Sequence, residues 1–70
     1  MKRIKKEDYK HDGVYIDLDI NYIPYQKLIY DTEKYLSRNK RYYFHCKNGI
    51  KSKEVVMSLT AKGYDVTQVI

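Results

Sequence analysis

The sequence predicts an α/β domain built on a parallel sheet. Three observations carry that expectation. Short apolar runs at 14–18, 41–45 and 64–70 have the length of strands, helix-spaced apolar residues fill the intervals between them, and glycines or polar clusters mark the junctions. The resulting order is strand, helix, strand, helix, strand, which requires right-handed crossovers with helices on the sheet faces.

Each element has its own reason. Met1 to Lys10 reads as a short apolar anchor at Ile4 followed by a polar helical turn over Lys5 to Lys10, and His11-Asp12-Gly13 reads as a turn. Val14 to Leu18 is an apolar run holding one carboxylate, Asp17, and fits a strand buried on both faces, with Asp17 a candidate structural residue. Pro24 suits the first turn of a helix, where its missing N–H leaves no bond unmade. Leu28, Ile29, Thr32, Tyr35 and Leu36 then recur at helical spacing to about Ser37. After the polar loop Ser37 to Lys40, Arg41 to His45 forms a second buried strand. A further helix opens near Ser52, carries Val55, Val56, Leu59 and Ala61 on its apolar face, and stops at Gly63 in the left-handed C′ position. Tyr64 to Ile70 is the last strand, with Asp65 and Thr67 between apolar positions.

Composition bounds the function. Residues 1–70 hold no internal repeat and no Pro/Gly/Ser-rich linker, so one small domain is expected. The single cysteine cannot form an internal disulfide, and no apolar stretch suits a signal peptide or a membrane span. Both features point to the reducing cytoplasm, where the thiol stays free. Nine tyrosines, one phenylalanine and no tryptophan must supply the large core side chains, and several phenol tips are expected at the core margin. The net charge of +5 is uneven: residues 38–53 carry +6 and no acid. That segment is expected to centre a positive field on the cysteine and to concentrate small anions.

The stretch His45-Cys46-Lys47-Asn48-Gly49-Ile50-Lys51-Ser52 carries the candidate chemistry. A core cysteine belongs inside an apolar run, whereas Cys46 stands at the end of one, beside Lys47 and near Lys51. Cationic neighbours and a helix start both favour the thiolate. Parallel sheets bind ligands beyond the carboxyl ends of their strands, which is where Cys46 lies.

Cys46-x-x-Gly49-x-Lys51-Ser52 followed by a helix resembles the active-site loop of the rhodanese sulfurtransferase family, whose single-domain members commonly show Cys-x-x-Gly-x-Arg-Ser. Tyr15-Ile16-Asp17-Leu18 resembles the first core strand with its structural Asp, and Ile20 to Leu28 resembles the stretch in which an Ile-Pro begins a helix. Tyr42 to Cys46 resembles the strand entering the loop, Ala61 to Val66 the helix end and next strand, and Ile4 to Lys10 the opening strand and turn. Departures are local: Asp19 stands where the family usually has Arg, a small helix and strand are omitted between Asp19 and Ile23, and the chain stops at Ile70 before the usual Gly-Gly turn and terminal helix. The resemblance implies a trimmed three-layer domain with helices on both faces of the sheet.

It also implies a mechanism. Cys46 would take the outer sulfur of thiosulfate or a persulfide, hold it as a persulfide, and pass it to a thiol or cyanide. The backbone N–H groups of Lys47, Asn48, Gly49, Ile50, Lys51 and Ser52 would hold the anion. Gly49 would permit the tight turn, Lys47 and Lys51 would attract an anionic donor, and Ser52 would either donate to the sulfur or cap the helix, capping being the simpler role. No cofactor is implied. His45 is a poor general base, because adjacent strand residues point to opposite faces. A metal site from His11, His45 and Cys46 lacks a ligand and matches no common spacing. Cysteine phosphatases need an arginine where this chain has Ser52, so a phosphate substrate is not expected. The competing reading is a non-catalytic binding or regulatory module that presents the basic loop to an acidic partner. No nucleic-acid reading motif accompanies the charge cluster.

Overall fold

A computed structural model describes residues 1–20 and 24–70. The expected onset of the first helix at Ile23-Pro24 lies partly outside the described residues. Four strands, β1 (Lys2–Ile4), β2 (Val14–Asp17), β3 (Arg41–His45) and β4 (Asp65–Val69), form one parallel sheet in the order β1-β4-β3-β2. The helices are α1 (Tyr25–Tyr30), α2 (Thr32–Tyr35) and α3 (Ile50–Ala61), and a 3-10 helix (Lys6–Asp8) follows β1.

The register explains the core. Side chains alternate along each strand, so Tyr42 beside Val66, and Phe44 beside Ile16 and Gln68, share one face. Leu28 of α1 and Val55, Val56 and Leu59 of α3 close over that face, all fully buried. Each such side chain contributes about 1.5–3 kcal/mol by leaving water. Tyr15, Tyr43 and Thr67 lie on the opposite face. There Tyr9, just beyond the 3-10 helix, packs with ring centroids 5.1 Å from Tyr15 and 4.7 Å from Tyr43.

The α-helices therefore do not flank the sheet on both faces as expected. Strand order supplies the reason. The crossovers from β2 to β3 and from β3 to β4 step the same way across the sheet, so right-handed connections bring α1 and α3 to the same face. Only the link from β1 to β2 steps the other way, and it covers the second face with a short 3-10 turn and an aromatic cluster.

Several boundaries shift for local reasons. β2 is an edge strand with Val14 exposed, and is not buried on both faces; the central strands β3 and β4 are. The long first helix is broken at Asp31 (φ −118°, ψ 44°). Past the break, the Thr32 hydroxyl donates back to the Leu28 carbonyl at 2.5 Å, and Lys62 Nζ bonds the Ile29 carbonyl. Pro24 is the residue before α1, and its carbonyl accepts from Lys27 N–H at 2.9 Å. Ala61 is exposed, so the apolar face of α3 ends at Leu59. Gly63 (φ +88°) closes α3 as expected: its N–H reaches the Thr60 carbonyl and Tyr64 N–H the Leu59 carbonyl, at 3.1 and 3.0 Å.

Candidate active site at the Cys46 loop

Cys46 follows the last residue of β3, on the core side of the sheet, and is 3% exposed. Side-chain alternation carries His45 to the other face, where its Nδ1 lies 3.0 Å from the Val69 carbonyl. The expected separation of imidazole and sulfur is found.

The loop turns at Gly49, whose φ of +77° is the left-handed conformation that a residue without Cβ adopts at little cost. α3 then starts at Ile50, two residues earlier than expected, with Gly49 and not Ser52 at the N-cap. Ser52 sits inside the first turn, fully buried, and does not serve as the cap. Its main-chain N–H donates to Cys46 Sγ at 3.2 Å, and its Oγ lies 3.3 Å from the same sulfur. Gln68 Nε2 donates to Ser52 Oγ at 2.9 Å and to the Gly49 carbonyl at 3.1 Å. In the contact between Ser52 Oγ and sulfur the thiol donates to Oγ, and the hydroxyl donates to the Gly49 carbonyl at 3.5 Å; once the sulfur is an anion, the same hydroxyl proton can turn to it. Asn48 Oδ1 completes the surroundings, 3.7 Å from Sγ.

The other loop amides behave differently from a cradle of six. Lys47 N–H donates to Asp19 Oδ2 at 2.5 Å, and Ile50 N–H to Asn48 Oδ1 at 3.1 Å. Among the hydrogen bonds of the described residues, the backbone donor that reaches the sulfur is Ser52. Asp19 is held in place by Asp17, whose Oδ1 accepts Asp19 N–H at 2.9 Å. That bond fixes the turn that leaves β2. Lys51 Nζ lies 3.9 Å from Asp19 Oδ1.

Positive charge is less concentrated here than expected. Arg41 opens β3 and so stands about 16 Å along the strand from Cys46. There it pairs with Asp12 at 2.7 Å and Asp65 at 3.0 Å, and Tyr43 donates to Asp12 at 2.5 Å. The Tyr43 hydrogen bond, with help from Arg41, holds the Asp12 carboxyl below its ordinary range; Lys2 and then Arg41 do the same for Asp65. Arg38 stacks over the Tyr64 ring at 4.4 Å and donates to the Lys62 carbonyl, also at that end.

Sequence reasoning missed Gln68 altogether. Its signal was present: a polar residue in phase with Val66 on the core face of a strand. Among the described residues no three His, Cys, Asp or Glu side chains are grouped to hold a metal ion, and no helix is long and apolar enough to cross a membrane. The chain matches no family model, no curated protein and no solved structure.

Proposed function

We propose that this protein is a rhodanese-like sulfurtransferase in which Cys46 carries a sulfane sulfur. The observation that carries this reading is the Ser52 N–H donating to Sγ at the start of α3, with Ser52 Oγ accepting from the thiol and held by Gln68. One fixed N–H, a hydroxyl that can turn its proton to the sulfur, and a positive helix end stabilise an anion there, whether thiolate or persulfide.

The reaction balances without a cofactor. Cys46 releases its proton to water and attacks the outer sulfur of thiosulfate or of a persulfide. A new S–S bond forms, the donor S–S bond breaks, and sulfite or a thiolate leaves with the electron pair. Cys46 now bears the persulfide. An acceptor thiolate or cyanide attacks the outer sulfur, and the Cys46 thiolate departs. In this reading the partners are a small sulfur donor and a thiol acceptor, in the cytoplasm, with no metal, membrane or nucleic acid taking part.

Burial of the thiol favours one rival: a binding module that presents the loop to an acidic partner and uses Cys46 only for packing. Intact mass separates the two. After incubation with thiosulfate, or in parallel with cysteine persulfide, the wild type should gain one sulfur that a reductant removes, and Cys46→Ser should gain none. If neither folded protein gains sulfur from either donor, the transferase reading fails.

A further inference from the structure

Arg3 reaches the Cys46 site without touching it. β1 lies beside β4 with Arg3 in register with Gln68, and the Arg3 Nε–H donates to Gln68 Oε1 at 3.1 Å. The other end of the same amide donates from Nε2 to Ser52 Oγ at 2.9 Å and to the Gly49 carbonyl at 3.1 Å. Both ends therefore select one orientation of the amide. Turned over, it would set Oε1 against the Gly49 carbonyl and its N–H groups against the guanidinium, pairing acceptor with acceptor and donor with donor. Gln68 is only 3% exposed, so an Oε1 without Arg3 would be a buried acceptor left unpaired.

The contact also carries charge. Among the described residues no ion pair engages Arg3, and its side-chain hydrogen bond goes to this amide. A cation on Oε1 polarises the amide and strengthens the bonds that Nε2 donates. Ser52 Oγ thereby becomes a weaker acceptor for the thiol and its own proton a stronger donor, which favours sulfur as an anion. When that hydroxyl turns from the Gly49 carbonyl to the sulfur, Gln68 Nε2 keeps the carbonyl paired. Contacts of 3.1, 2.9 and 3.3 Å and the span of one amide place Arg3 Nε within about 12 Å of Sγ.

We infer that Arg3 is a positioning residue for Cys46: across β4 it holds the Gln68 amide in the orientation that lets Ser52 turn its hydroxyl to an anionic sulfur. This deepens the sulfurtransferase reading, in which the anion is a thiolate and then a persulfide, and its physics stands for the thiolate alone. The net charge at the mouth of the loop does not enter. Asp19, Lys47 and Lys51 are the same in every protein compared, so their effects cancel.

The test follows alkylation of Cys46 by iodoacetamide, a neutral reagent, against pH on the full chain, with intact mass as the readout. The high-pH plateau reports access to the buried sulfur, and the midpoint reports what stabilises its anion. One unit charge at about 12 Å, in surroundings between protein and water, changes the thiolate fraction about threefold. Arg3→Met keeps the apolar stem and should move the midpoint up by about half a pH unit, whatever happens to the plateau. Lys2→Met removes the same charge from the same strand, but Lys2 pairs with Asp65, so the midpoint should stay within about 0.2 unit. A second measurement needs no variant. In the wild type the Arg3 Nε–H and Gln68 side-chain N–H protons should exchange with solvent on the order of tenfold more slowly than those of exposed Arg38 and Asn39. An unmoved midpoint in folded Arg3→Met, an equal shift in Lys2→Met, or unprotected Arg3 and Gln68 protons overturns the inference, as does a Cys46 that reacts at no pH where the fold holds. Alkylation requires no sulfur transfer, so failure of sulfur loading and failure of this inference are read separately.

Discussion

Ser52 and Gln68 form a buried pair whose removal should be strongly non-additive. Ser52 is fully buried and Gln68 is 3% exposed. Ser52→Ala deletes the hydroxyl beside Sγ and leaves one Gln68 N–H without its acceptor, while the other still reaches Gly49. An orphaned buried donor costs about 1–3 kcal/mol. Gln68→Leu removes that donor and frees the Gly49 carbonyl, with a cost of about 1–2 kcal/mol. In the double variant no Gln68 donor is left to orphan, so the combined loss should fall short of the sum by about 1 kcal/mol or more. A domain of this size holds only about 3.5–10 kcal/mol in total, so each step is a clear shift. Urea unfolding followed by far-ultraviolet circular dichroism measures it in a chain without tryptophan. The same variants load sulfur differently. A hydrogen bond to a charged group is worth about 1.5–3 kcal/mol, so Ser52→Ala should retain at least tenfold less persulfide, and Gln68→Leu should lose less because the hydroxyl remains. Additivity within about 0.3 kcal/mol, or undiminished loading in Ser52→Ala, would refute the coupling of this pair to the sulfur.

Acid should destabilise the fold through the far end of the sheet. Asp12 and Asp65 are held below their ordinary values, so their contribution is complete above about pH 3.9 and is lost as pH falls through their lower folded values. Asp12 is exposed and Asp65 only half-buried, so the effect is small, and replacing both by Asn should flatten the drop in urea midpoint below about pH 4. Gly13→Ala should be more disruptive than its surface position implies. A Cβ there would lie 2.6 Å from the Arg41 carbonyl oxygen of β3, and backbone cannot give way as a side chain can. A loss of about 1–3 kcal/mol is expected by thermal unfolding, and an unchanged midpoint would contradict the close approach.

The parts legible in the sequence were those set by local pattern. Arg41 to His45 is bounded as expected because a short aromatic run, buried on both faces, sits between a polar loop and Cys46, and Gly63 marks the helix end through its backbone conformation alone. What depended on the partner of a strand was not legible. β1 has one half-buried apolar residue, Ile4, and becomes a strand only because β4 lies beside it. The shared face of α1 and α3 follows from strand order, which periodicity does not encode. At the site, Cys46 and Gly49 could be read from the loop. Ser52 was visible as a residue, but its place inside the helix, and not at the cap, depended on where α3 began. Asp19 stood out only as an unusual residue; its bond to Lys47 required β2 and β3 to be paired.

The position of β1 has a consequence for assembly. Its sole neighbour is β4, and Arg3 meets Gln68 across 65 residues of chain. Contacts between such distant segments are slow to form, so the N-terminal strand cannot register before β4 is in place. Until then the outer edge of β4 is bare, with Thr67, Gln68 and Val69 offering unpaired backbone to any strand that arrives first. A second molecule at the same stage can supply that strand, so crowded or fast synthesis favours intermolecular pairing. Once seated, β1 closes that side of the described sheet with a three-residue strand carrying Lys2 and Arg3, a short charged edge of the kind that disfavours further pairing.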